Sequence, residues 1–319
     1  MATTFELILD GDRERGVLDD MAQDIFAEIR RLEELLSAYI PSSDVCWINE
    51  NAARGPVPVH PDTFDVLELA RRLWEETEGA FDITVGPLVK CWGFYRRQGA
   101  VPEKEALEAA LERVGMEHVV LDPEALTVQF DRPGVEINLG AVGKGFAVAR
   151  AAERLREWGV SAALVHAGRS TIYALGRPPV AEGWRIGLRE QGDESPRIGS
   201  VLLRDQALAT SGAYVQYFEA QGRRFCHVID PRTGWPVSEE RLSVAVIGRD
   251  AVVADALSTA FFVGGEQLAR KWCADNGGGA VIVDKGPSGA AVVREINCTL
   301  EKEEVEDEEQ SGAQSAGVS

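Results

Sequence analysis

From about residue 119 onward the chain reads as short apolar runs of β character broken by only a few helical stretches, and this pattern constrains the fold most. The runs are Val119 to Leu121, Leu126 to Phe130, Val135 to Leu139, Ala162 to Val165, Trp184 to Leu188, Ile198 to Leu203, Phe225 to Ile229 and Leu242 to Ile247. Helical periodicity intervenes at about Gly145 to Trp158, Val253 to Phe262 and Gly265 to Asp275. Strict strand–helix alternation would imply a parallel sheet, and strands alone a sandwich. The mixture predicts an α+β fold with mixed or largely antiparallel sheets and packed helices. Upstream, a strand is expected at Thr3 to Leu9 and a helix from about Leu18 to Leu36, where Leu18, Met21, Ile25, Ile29, Leu32 and Leu36 recur at three and four. Further helices are expected at about Pro61 to Thr77, opened by Pro and closed by Gly79, and at about Glu103 to Val114.

No repeat and no long Pro/Gly/Ser linker divides residues 1–300, so they are expected to form a single domain. Residues 301–319 differ: seven acids and one lysine account for −6 of the net −19, with almost nothing apolar to bury. An acidic, disordered, solvating tail is expected there. A strongly acidic chain repels nucleic acid and anionic membrane, so a phosphate-bearing ligand would need a local cation. No apolar run approaches the ~20 residues of a membrane span. The segment Phe5 to Asp10 is too short and too acidic for a signal peptide, from which a cytoplasmic location is expected. Five scattered cysteines, never in C-x-x-C spacing, indicate neither a zinc cage nor a disulfide framework.

Chemistry concentrates in a few segments. In A-D-A-L-S-T-A, Asp255 and Thr259 stand four apart in a helical run, so their oxygens share one face, one turn apart. A carboxylate above a hydroxyl suits a hard cation such as Mg2+. The competing reading has Thr259 bonding its own backbone while Asp255 faces water. The strand V-E-I-N-L runs into G-A-V-G-K-G and a helix, a bend whose backbone N–H groups and Lys144 suit a phosphate, or which is simply a tight turn. It fits neither the Walker A nor the dinucleotide fingerprint.

In G-A-F-D-I-T-V-G-P-L-V, read as strand-like, Asp82 is a carboxylate among apolar neighbours and needs a partner. Tyr39 lies in a turn where a ring can close over a flat ligand, whereas Trp47 and Trp92 are assigned to packing. L-A-T-S-G-A-Y (208–214) and H-A-G-R-S-T (166–171) are Gly-bearing strand ends able to approach a ligand backbone-first. His227 opens the turn-rich H-V-I-D-P-R-T-G, which makes it the histidine most suited to chemistry.

Taken in order, these segments resemble the ApbE family of FAD:protein FMN transferases, from Thr3 to about Arg294. The resemblance implies an ApbE-like, T-fold-like domain that takes FAD as substrate. It implies Mg2+ held by Asp255, Thr259 and the main-chain carbonyl of Ala141, with FAD contacts at Tyr39, Ala80, Phe81, Asp82, Asn138, Lys144 and Ile229. The implied reaction moves FMN onto a Ser or Thr hydroxyl of an acceptor flavoprotein through a phosphoester bond and releases AMP. His227 is then the candidate acceptor of the hydroxyl proton.

Three departures stand out. Asn138 occupies a place where the family usually has Asp, the exported members' signal and lipobox Cys are missing, and Arg169 sits in a loop that is usually less bulky. Two rival readings share the same residues: an FAD pyrophosphatase yielding FMN and AMP, and a non-catalytic FAD-binding protein.

Overall fold

The computed structural model describes residues 3–10, 13–168, 170–192 and 194–302. In chain order the elements are β1 (Phe5–Asp10), α1 (Arg15–Leu36), α2 (Asp44–Asn51), β2 (Val57–Pro58), α3 (Pro61–Glu76), α4 (Gly86–Cys91), α5 (Lys104–Leu111), β3 (Val119–Asp122), β4 (Thr127–Phe130) and α6 (Gly143–Glu157). Then follow β5 (Ala162–Ala167), β6 (Thr171–Gly176), β7 (Trp184–Arg189), β8 (Arg197–Leu203), β9 (Gln206–Gly212), β10 (Tyr217–Ala220), β11 (Arg223–Cys226), β12 (Arg241–Gly248), α7 (Ala251–Asn276), β13 (Gly279–Lys285) and β14 (Ala291–Ile296).

Seven strands make one sheet in the order β1-β5-β6-β9-β12-β13-β14, with every neighbouring pair antiparallel. This is the expected α+β arrangement. Alternate residues of each central strand serve different cores, as the twofold period of a strand requires. On β12, Val244 and Val246 join the main core with α6 and α7, while Ala245 and Ile247 face the β7–β8 ribbon with Leu188, Val201 and Leu203, joined by Leu242 across a register irregularity between Arg241 and Ser243. Because both faces are covered, β12 reads as a continuous apolar run. A third core of Leu88, Trp92, Phe94, Leu107, Phe225 and Ile229 joins α4 and α5 to the β10–β11 hairpin. Among the described residues no helix is long and apolar enough to cross a membrane.

Several local readings change. The strand-like run after Gly79 is a turn, a bridge at Val85 and the short helix α4. Pro87 at the start of that helix explains the loss of strand. Val135 to Leu139 forms only that same isolated bridge, Val85 to Glu136. Trp47 is 53% exposed and does not complete the core, whereas Trp92 is fully buried. The helical stretches read at 253–262 and 265–275 are two halves of α7, divided at Gly265 (φ 74°, ψ −165°). Arg241 closes the break, its Nη1 donating to the carbonyls of Phe261 (3.0 Å) and Phe262 (2.9 Å). At the chain's end, Glu301 still pairs with Ser200 through two backbone hydrogen bonds, so it belongs to the folded body. The remainder of the acidic segment, 303–319, lies outside the described residues, as does Arg169.

Candidate functional site

The eleven candidate residues, Tyr39, Ala80, Phe81, Asp82, Asn138, Ala141, Lys144, His227, Ile229, Asp255 and Thr259, all line one cleft of about 900 Å³. It opens where the end of β9, the start of α6 and the first half of α7 meet.

Asp255 is 3% exposed, which removes the reading in which it faces water. It is held from two other elements: the Gly145 N–H donates to Oδ2 at 2.8 Å, and the Thr171 hydroxyl donates to Oδ1 at 2.9 Å. Lys144 Nζ lies 3.6 Å from Oδ1 and donates to the Gly140 carbonyl at 3.3 Å. One turn on, the Thr259 hydroxyl is 3.2 Å from the Ser211 hydroxyl, itself 2.8 Å from that of Ser258. The residue that bonds back to its own helix is Ser258, to the Asp255 carbonyl at 2.8 Å.

The glycine-rich bend works differently from a phosphate cradle. The N–H of Gly143 is spent on the Leu139 carbonyl (2.8 Å) and that of Gly145 on Asp255. Gly145 must be glycine for packing: a Cβ there would come within 2.4 Å of the Ala251 carbonyl and 2.7 Å of the Asp255 Cβ. Because its N–H turns to Asp255, no backbone hydrogen bond reaches the Ala141 carbonyl among the described residues. That leaves an acceptor off the helical ladder on the wall of the cleft.

This donor set fits a hard cation: carboxylate, hydroxyl and carbonyl oxygens, with no soft ligand. Among the described residues no group of three or more His, Cys, Asp or Glu is placed to hold a metal ion, so an all-side-chain cage of zinc type is not what the fold offers.

His227 sits half-buried in the same cleft, its backbone N–H (3.0 Å) and Nδ1 (3.1 Å) both on the Gln216 carbonyl. A carbonyl only accepts, so Nδ1 carries the proton and Nε2 keeps its lone pair. Burial lowers the imidazole pKa below 6.5, the Gln216 bond opposes this, and the charge of Lys144 lowers it further. Asp82 is buried, accepting from the Thr84 N–H (2.7 Å) and hydroxyl (2.6 Å). Burial pushes its carboxyl up to about 6 against those two bonds.

Asn138 is anchored by its N–H to the Ile83 carbonyl (2.7 Å), and its side-chain oxygen accepts from the Gly140 N–H (2.8 Å). That loop-closing bond needs only an acceptor, so the amide performs it without a charge. At the rim Tyr39, 64% exposed, stacks on Tyr95 with centroids 5.2 Å apart, and Lys90 lies over the Tyr95 ring.

Sequence reasoning missed Thr171 and Ser211 as individual side chains. Both lie in the two Gly-bearing segments singled out for backbone approach, yet their hydroxyls hold the α7 pair.

Comparison with known proteins agrees with this geometry. The ApbE family profile matches residues 1–283. A "FAD:protein FMN transferase" of Klebsiella pneumoniae (strain 342) is 35% identical over 243 residues, covering 76% of this chain and 75% of the relative. One from Escherichia coli (strain K12) is 32% identical over 257 residues, covering 79% and 73%. The ApbE protein of Thermotoga maritima superposes with a TM-score of 0.80 at 32% identity, covering 91% of this chain and 93% of that one. The flavin transferase ApbE of Vibrio cholerae gives 0.79 at 27%, covering 93% and 94%. With its motifs gathered around one cleft and its sequence matched over most of its length, the chain belongs to the ApbE family.

Proposed function

We propose that this enzyme, a FAD:protein FMN transferase, transfers FMN from FAD to a Ser or Thr hydroxyl of an acceptor flavoprotein and releases AMP in a Mg2+-dependent reaction. The observation that carries the reading is the convergence on one cleft of a fixed carboxylate, a hydroxyl, an ammonium and a neutral imidazole.

Asp255, Thr259 and the Ala141 carbonyl would hold Mg2+, which when bound neutralises charge on the pyrophosphate oxygens. Lys144 supplies a second positive charge where an acidic chain would otherwise repel the substrate. Tyr39, in its exposed stack with Tyr95, offers a flat face to an aromatic ring. Ala80, Phe81, Asp82, Asn138 and Ile229 complete the walls around FAD.

The acceptor hydroxyl oxygen attacks the FMN-side phosphorus and its proton passes to Nε2 of His227. The bond from that phosphorus to the bridging oxygen breaks, and AMP leaves with that oxygen. Mass analysis of a co-incubated acceptor tests the linkage: FMN on a Ser or Thr supports it, while unmodified acceptor together with free FMN makes the protein a pyrophosphatase.

A further inference from the structure

We propose that Thr171 is a positioning residue that sets which lone pairs of Asp255 remain for a divalent cation, an inference resting on the reading of Asp255 and Thr259 as cation ligands. Thr171 is fully buried at the start of β6. A carboxylate only accepts, so the single Thr171 hydroxyl proton is committed to Oδ1, while Oδ2 takes the Gly145 N–H. Two donors on two different elements leave the carboxylate no freedom to rotate and direct its remaining lone pairs toward the cleft.

The threonine cannot follow a displaced carboxylate. It pairs with Ala167 on β5 and Ala209 on β9, and the preceding Ser170 carbonyl accepts from the Thr210 N–H at 2.6 Å. Orienting bonds of this kind typically change metal affinity about 10–100-fold when removed. Lys144 cannot substitute for the hydroxyl, because at 3.6 Å from Oδ1 it makes a longer, non-directional contact from a flexible stem.

Threonine to valine keeps the shape and the β-branch and removes only the donor, and threonine to serine keeps the donor. Mg2+ alone is titrated calorimetrically into the wild-type chain, T171V, T171S and D255A, with thermal melts checking that each folds. The expected result is Mg2+ affinity weakened about tenfold or more in T171V, restored in T171S and lost in D255A. In turnover the Mg2+ concentration for half-maximal rate should rise by the same factor, while kcat at saturating Mg2+ stays within about twofold. If T171V binds Mg2+ like wild type while D255A does not, the positioning role is overturned and the cation site stands. If D255A itself binds Mg2+ like wild type, the cation reading falls, and this inference with it.

Discussion

The backbone N–H of Gly145, in the first turn of α6, donates at 2.8 Å to Oδ2 of Asp255 in α7, so one glycine both allows two helices to touch and orients the buried carboxylate between them. Replacing Gly145 by alanine would drive a methyl against the Ala251 carbonyl. Overpacking at such a contact costs about 1–3 kcal/mol. G145A should therefore show an unfolding free energy in urea lower by that amount and a larger fractional loss of turnover than of FAD binding, because the carboxylate moves with the helix.

His227 predicts the acid limb of the pH–rate profile. Transfer needs the neutral imidazole, and its pKa is lowered mainly by burial and further by Lys144. The acid limb of kcat/KM should fall below pH 6.5, with H227A about 10²–10⁴-fold slower. In K144M the whole curve drops, but the remaining limb moves up toward the ordinary histidine value by a small step, burial being the larger cause.

Asp82 gives a stability prediction with a definite sign. Its carboxyl is raised from 3.8 to about 6 by burial, so the folded state binds the proton more tightly than the unfolded chain. That stabilisation is full below about pH 4 and is lost as pH rises through about 6. D82N, which keeps an acceptor for Thr84, should be more stable than wild type at pH 7.5 by about 3 kcal/mol, the full value of the shift, and no more stable at pH 4. Urea midpoints at the two pH values check it; equal differences at both would contradict the assignment.

Arg241 connects the break in α7 to the sheet. Its Nη1 serves the Phe261 and Phe262 carbonyls, and its Nε donates to Asp284 at 2.6 Å. Lysine keeps the charge but not the planar fork, so R241K should lose about 1–3 kcal/mol in denaturant unfolding. Mg2+ affinity should change little, because Asp255 and Thr259 lie in the half of α7 before the break.

Much of this was legible beforehand because it depends on local periodicity. The amphipathic register of Leu18 to Leu36 predicted α1, and Asp255 and Thr259 needed only one helical turn to share a face. Strands β6, β13 and β14 were not read as such, and β9 only through its Gly-bearing end. β6, β9 and β13 are mostly buried and lack a clean polar alternation, whereas the edge strand β14 is mostly half-exposed and is defined by its pairing with β13. The roles of Thr171 and Ser211 were hidden because each hydroxyl meets its α7 partner across 84 or 48 residues of sequence. The glycine bend stayed open between a phosphate site and a tight turn because its spare N–H groups are visible in a sequence, whereas the carboxylate that claims one of them comes 110 residues later.

The most direct test of the account is AMP release from FAD with Mg2+, measured with and without an acceptor flavoprotein and paired with in-gel flavin fluorescence. The account predicts acceptor-dependent AMP, a fluorescent acceptor band, and loss of both in D255A. AMP released equally without acceptor and with no labelled band would contradict it.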